Sequence, residues 1–87
     1  MSYSKLLGLR IQQLCGKYNI TINKLATLSG LKQSTVDNII RGTSKNPKIR
    51  TLHKIAITFN MTLSEFLDFP ELNAFSPEED DEEPKIE

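Results

Sequence analysis

Apolar side chains return along the first stretch of the chain in steps of four, three and four: Leu7, Ile11, Leu14 and Tyr18. That spacing predicts a first helix from about Ser4 to Tyr18. Asn19 stops it. Thr21 suits the N-cap of a second helix running through Leu28 and burying Leu25, Ala26 and Leu28. Gly30 takes a positive φ without cost, so the chain is expected to turn there. A third helix is predicted from about Gln33 to Arg41, with Val36 and Ile39 facing inward, Ile40 beside them, and Gly42 ending it. Gly, Ser, Asn and Pro cluster in "GTSKNPK", which reads as a loop because the residue before Pro47 avoids helical angles. Leu52, Ile55, Ala56 and Phe59 then mark a fourth helix over about Arg50 to Phe59. Asn60 and Met61 break it, and Thr62 caps a short fifth helix through Leu67 that buries Leu63, Phe66 and Leu67. No segment alternates with period two. The expected fold is all-α, a compact five-helix domain over residues 1–69.

From Pro70 onward apolar residues thin out and acidic residues accumulate, ending in "PEEDDEEPKIE". Residues 70–87 are therefore expected to form an acidic, largely disordered tail, the last dozen residues above all. The formal net charge of zero hides this asymmetry. Residues 1–67 carry a net charge of +8, whereas residues 68–87 carry −8, with nine acids against Lys85 alone. A polyanion is attracted to the first part and repelled by the tail.

Eighty-seven residues build one core and leave no room for an elaborate catalytic pocket. No apolar run approaches the ~20 residues of a membrane span, and the N-terminus lacks the apolar segment of a signal peptide, so a cytoplasmic location is expected. A single cysteine, Cys15, fits a reducing compartment and reads as a small buried hydrophobe. His53, the only histidine, has no metal-ligand spacing around it and reads as a structural residue of the fourth helix. Consecutive carboxylates over Glu78–Glu83 offer a cation no fixed geometry. Gly-rich phosphate loops and serine-nucleophile elbows are absent. The expectation is a protein that is not an enzyme, with no cofactor and no metal.

Two short helices around a tight Ser29-Gly30-Leu31 turn have a physical use: the second can lie in the DNA major groove. With Val36 and Ile39 turned inward, Lys32, Gln33, Ser34, Asp37, Asn38 and Arg41 remain on the outer face. Gln and Asn pair with adenine, Lys and Arg reach guanine, and Asp accepts from cytosine. A soluble helix also has a polar outer face for no other reason than solubility. The helix starts weigh against that plainer explanation. Lys32 stands where the third helix wants a capping hydroxyl or carboxylate, and Lys48 and Arg50 flank the start of the fourth, where the helix dipole disfavours positive charge. A phosphate at those N-termini would relieve the conflict, with Thr43, Ser44, Lys45 and Asn46 nearby as further donors.

The ordered marks Arg10-Ile11-x-x-Leu14, Leu25-Ala26, Ser29-Gly30-Leu31, Ser34-Thr35-Val36 with Ile39, and Arg41-Gly42 run along the chain in that sequence. Pro47, Thr51-Leu52, Lys54-Ile55-Ala56 and Met61-Thr62-Leu63-Ser64-Glu65-Phe66-Leu67 follow them. From about Leu7 to Leu67 the chain thus resembles the Xre/Cro/C1-type helix–turn–helix family of phage-repressor-like DNA-binding proteins. The resemblance implies a five-helix, lambda-repressor-like bundle that binds a two-fold-related operator as a dimer. It implies base contacts by Gln33, Ser34, Asn38 and Asp37, with Thr35 and Arg41 touching bases or the nearby backbone. It also implies phosphate contacts by Thr21 and Asn23 ahead of the turn, and by Thr43, Ser44, Lys45 and Lys48 after the third helix. Three positions depart from the family pattern. Ile22 stands where a phosphate-clamping Gln is common, Lys32 where a small capping hydroxyl is common, and Ile40 where a Glu is common. The last matters for Arg10, which in such domains makes an ion pair with an acid that Ile40 here replaces. Ile40 is expected at the edge of the core.

The reading that follows is a sequence-specific double-stranded-DNA-binding transcriptional regulator, a repressor working as a homodimer on its operator. Its rival is an antitoxin-like or other protein-binding module whose acidic end engages a basic partner. Against that rival, the only apolar anchor after Phe75 is Ile86. Phe66, Phe69, Leu72 and Phe75 supply either a dimer patch or further packing on their own domain. The acidic tail either aids solubility or folds over the basic face as a mimic of DNA.

Overall fold

The computed structural model describes residues 1–80, and these form six helices and one 3₁₀ turn. The first, α1 (Tyr3–Tyr18), starts where the Ser2 hydroxyl accepts the Lys5 N–H at 3.2 Å. It ends at Asn19, whose φ of 58° turns the chain out of the helix. The second, α2 (Ile22–Ser29), is capped by Thr21, whose hydroxyl accepts the Lys24 N–H at 3.0 Å. Gly30 closes it at φ 73°, and α3 (Gln33–Arg41) ends in the same way at Gly42, φ 79°. Then come α4 (Ile49–Thr58) and α5 (Leu63–Leu67). A reciprocal box starts α5: the Thr62 hydroxyl accepts the Glu65 N–H at 3.0 Å, and the Glu65 carboxylate accepts the Thr62 N–H at 2.8 Å.

The five expected helices are all present, within one residue of their expected bounds. Their inward faces meet in one core built on Ile11, Leu25, Val36, Ile39, Ile55 and Phe66, each at most 1% exposed. Here α1 packs on α3, α2 on both α3 and α4, and α4 on α5. Burying Phe66 alone contributes on the order of 2–3 kcal/mol. Ile40 is half-buried at the rim of this core, as its position predicted.

Several expectations need correction. Leu28, expected inside, is 55% exposed. At ~100° per residue it lies ~110° from the midpoint of Leu25 and Ala26, which define the inward face of α2. Tyr18 is 49% exposed and rests its ring against Phe59 at 5.7 Å instead of entering the core. Leu63 and Leu67 are half-buried, because a helix of only five residues can turn one large side chain, Phe66, fully inward.

Packing also continues past Phe69. A sixth helix, α6 (Pro70–Asn73), begins on a proline, whose fixed φ suits the first helical position. It packs on α1, and Phe75 meets the Tyr3 ring edge-on at 5.0 Å. Phe66 and Phe69 are buried while Leu72 and Phe75 are half-buried against the core, so these four side chains pack on their own domain. Ser76 then caps the 3₁₀ turn Pro77–Glu79 with its own reciprocal box. The expectation of disorder from residue 76 therefore does not describe residues 76–79, and its remaining acidic stretch, 81–87, lies outside the described residues.

Arg10 has exchanged its partner. With isoleucine at position 40, its guanidinium turns to the end of α5, donating to the Phe66 carbonyl and the Glu65 carbonyl, each at 2.9 Å. It also covers the Phe69 ring, 5.2 Å from the centroid. A cation at a helix C-terminus satisfies carbonyls that lack helical partners. Arg10 thereby ties α1 to the chain segment leading into α6.

Candidate nucleic-acid interface

The α2–turn–α3 unit is held from beneath. Ser29 donates its hydroxyl to the Leu25 carbonyl at 2.7 Å, and the Leu31 N–H returns to the Ala26 carbonyl at 3.0 Å across Gly30. Leu31 is half-buried against the core and anchors the start of α3. At the other end, the buried Ser4 hydroxyl donates to the Ile39 carbonyl at 3.1 Å, tying α3 to α1.

With Val36 at 0% and Ile39 at 1% exposure, the inward face of α3 is set. Helical geometry then puts Ser34, Asp37, Asn38 and Arg41 on the opposite face, and Gln33 at the side of its first turn. Lys32, Gln33, Ser34, Asn38 and Arg41 are exposed, whereas Asp37 and Thr35 are half-buried. Thr35 borders a cleft and is less open than the outer row.

Neither Lys32 nor Lys48 makes a side-chain cap, although each occupies the N-cap position of its helix, α3 and α4 respectively. The first backbone N–H groups of both helices therefore receive no side-chain cap, and Lys32 and Lys48 are themselves exposed. Between the end of α3 and the start of α4 lies a polar-rimmed cleft of about 260 Å³, lined by Thr35, Ile39, Ser44, Asn46, Pro47, Lys48 and Thr51. Ser44 and Lys48 come together there. Thr51 is a cleft residue to which the sequence pattern assigns no binding role. Its signal is position: three residues after an N-cap, a side chain leans back toward the helix start.

The remaining positions expected at phosphates are more dispersed. Thr21 and Asn23 are exposed in the first turn of α2, with the Thr21 oxygen already capping that helix. Arg50 is exposed in the first turn of α4. Lys45 borders a separate apolar groove walled by Tyr3, Ile49 and Phe75. Thr43 is exposed, and its hydroxyl lies 3.2 Å from the Asn38 carbonyl and 3.3 Å from Asn38 Oδ1. Lys5 adds a basic residue at this edge. A Cβ at position 42 would come within 2.5 Å of its Cγ, so its stem lies against Gly42.

Elsewhere, His53 is exposed, and burial pushes the Cys15 thiol above its ordinary range. The Glu78 carboxyl is held low by the Ser76 hydroxyl. Among the described residues, no group of three or more His, Cys, Asp or Glu is placed to hold a metal, and no helix is long and apolar enough to cross a membrane.

The model of the Cro/C1-type HTH DNA-binding domain matches residues 10–71, which include α2, the turn, α3, the cleft and α5. The chain belongs to that family. Its fold is similar to that in "Crystal structure of the prophage Lp1 protein 11", at 37% sequence identity and a TM-score of 0.76, over 86% of this chain and 100% of that one. No curated protein matches the chain. A Cro/C1-type domain is a DNA-binding module of regulatory proteins.

Proposed function

We propose that the protein is a sequence-specific regulator of transcription, a repressor that places α3 in the major groove of double-stranded DNA. Gln33, Ser34, Asn38 and Arg41, with Lys32 at the N-cap, face base edges; Thr35 and Asp37 contribute from the margins. Thr21 and Asn23 grip phosphates on one side of the groove. Ser44, Lys45, Lys48 and Arg50 grip them on the other. The bound form is a homodimer on a two-fold-related operator, blocking polymerase by occupancy.

The observation that carries this reading is the pair of uncapped helix starts. A helix beginning at Lys32 or Lys48 gives up a cap worth about 1 kcal/mol and sets a positive charge against its dipole. An anion at each start removes both penalties, and DNA phosphates supply anions at repeating intervals.

Binding-site selection from a random duplex pool at near-physiological salt tests it, comparing the wild type with Gln33→Ala/Asn38→Ala. A two-fold-related motif that the double variant loses or relaxes is the expected result. If the wild type selects no motif and its weak binding falls steeply with salt, the protein only neutralises phosphates, and a protein partner becomes the object of search.

A further inference from the structure

Asn38 is the one exposed amide on the outer face of α3 whose side chain is held by a neighbour. Thr43 lies five residues on, brought back by the left-handed turn at Gly42. Its hydroxyl is within reach of two acceptors on the same residue, the Asn38 carbonyl at 3.2 Å and Oδ1 at 3.3 Å. The carbonyl is already served. It accepts the Thr43 N–H at 2.9 Å and the Ser44 N–H at 3.1 Å, besides the Gly42 N–H that closes the helix. A carbonyl oxygen has two lone pairs, so the hydroxyl proton is better used at Oδ1.

We infer that Thr43 is a positioning residue for base recognition: its hydroxyl fixes the amide plane of Asn38, and with it the base that Asn38 prefers. The inference rests on reading α3 as the base reader. An unrestrained asparagine rotates its amide and offers oxygen or nitrogen first with little difference. With Oδ1 turned to Thr43, the two N–H donors of Nδ2 lead outward, and Oδ1 keeps one lone pair. Nδ2 donating to N7 while Oδ1 accepts from the exocyclic amine is the pairing that singles out adenine in the major groove. In this arrangement the Thr43 proton is engaged by Asn38 and is not available to a phosphate oxygen. Thr43 therefore differs in role from Ser44, which borders the cleft.

The test uses the full-length chain as wild type, Thr43→Val, Thr43→Ser and Asn38→Ala. Its probes are the duplex selected by the wild type and the three single-base variants at the position whose preference Asn38→Ala removes. For the wild type, discrimination of about tenfold or more in favour of adenine is expected at that position, the range of a bidentate pair. Thr43→Val should reduce it to about two- to threefold, leave the preferences elsewhere in the motif unchanged, and Thr43→Ser should restore it. Thermal melting of each variant guards against misfolding, which would weaken binding to every duplex. Full adenine preference in Thr43→Val overturns the inference while leaving α3 as the reader. So does an equal loss on all duplexes by the folded valine variant, which would mark a phosphate contact. A wild type that selects no motif overturns the base-reading function and this inference together.

Discussion

Gly8 lies in the middle of α1, where glycine ordinarily weakens a helix by about 1 kcal/mol relative to alanine. Its reason is contact. A Cβ there would come within 2.7 Å of Ile40 Cα and 2.9 Å of the Ile39 carbonyl, both backbone atoms of α3. Gly16, in the same helix, has open space around the equivalent point. The two positions therefore separate propensity from packing. Gly16→Ala should stabilise the protein by about 0.5–1 kcal/mol. Gly8→Ala gains the same propensity but must push α3 away from α1, an overpacking cost of about 1–3 kcal/mol, so a net loss is expected. Since Ser4 bonds the Ile39 carbonyl one turn away from Gly8, displacement of α3 should also reduce DNA affinity beyond what the stability loss explains. Chemical denaturation of both variants, with binding measured well below their midpoints, checks each part. A Gly8→Ala protein as stable as Gly16→Ala would show that α1 and α3 do not need this close approach.

At the level of the helices, the phosphate contact proposed for Lys48 would set stability against binding at the start of α4. Replacing Lys48 by serine supplies the missing cap and removes a charge that opposes the dipole, so Lys48→Ser should stabilise the protein by about 1 kcal/mol. The same change should weaken DNA binding uniformly across sequences and reduce the slope of log affinity against log salt by about 1. Stabilisation with an unchanged salt slope would exclude Lys48 from the phosphate contacts. This conflict was visible in the sequence, because caps and dipoles act over three or four residues and need no knowledge of tertiary structure. The same locality made the Asn19, Gly30 and Gly42 stops legible, and hence the whole α2–turn–α3 unit. What escaped depended on contacts distant in sequence. Arg10 reaches carbonyls more than 50 residues away, and no periodicity signals that exchange for the missing acid at position 40. The four-residue α6 is too short to show a period, and its acidic neighbours mask the apolar contacts of Leu72 and Phe75. Leu28 departs from its expected burial because a short helix exposes any apolar residue that lies off its narrow inward stripe.

Over the whole molecule, the opposed charges of the two parts become a question of range. Removing residues 76–87 takes away seven acids and Lys85 and raises the formal net charge from zero to +6, while keeping α6 and the Phe75–Tyr3 contact. The described residues span 41 Å in their longest dimension. At 0.01 M ionic strength the screening length is about 30 Å, so acidic charges act on the α3 face across most of that dimension. At 0.15 M it shrinks to about 8 Å, and only charges lying close to that face still count. The truncated protein should therefore bind a duplex of unrelated sequence roughly tenfold more tightly, or better, at the lower salt. An affinity gain that persists at 0.15 M identifies an acidic segment resting on the basic face, where it competes with DNA. A gain confined to low salt reduces the segment to a long-range repulsion. Equal affinities at 0.01 M would mean that the acidic residues do not act on the DNA-binding face at all, and solubility would be left as their use.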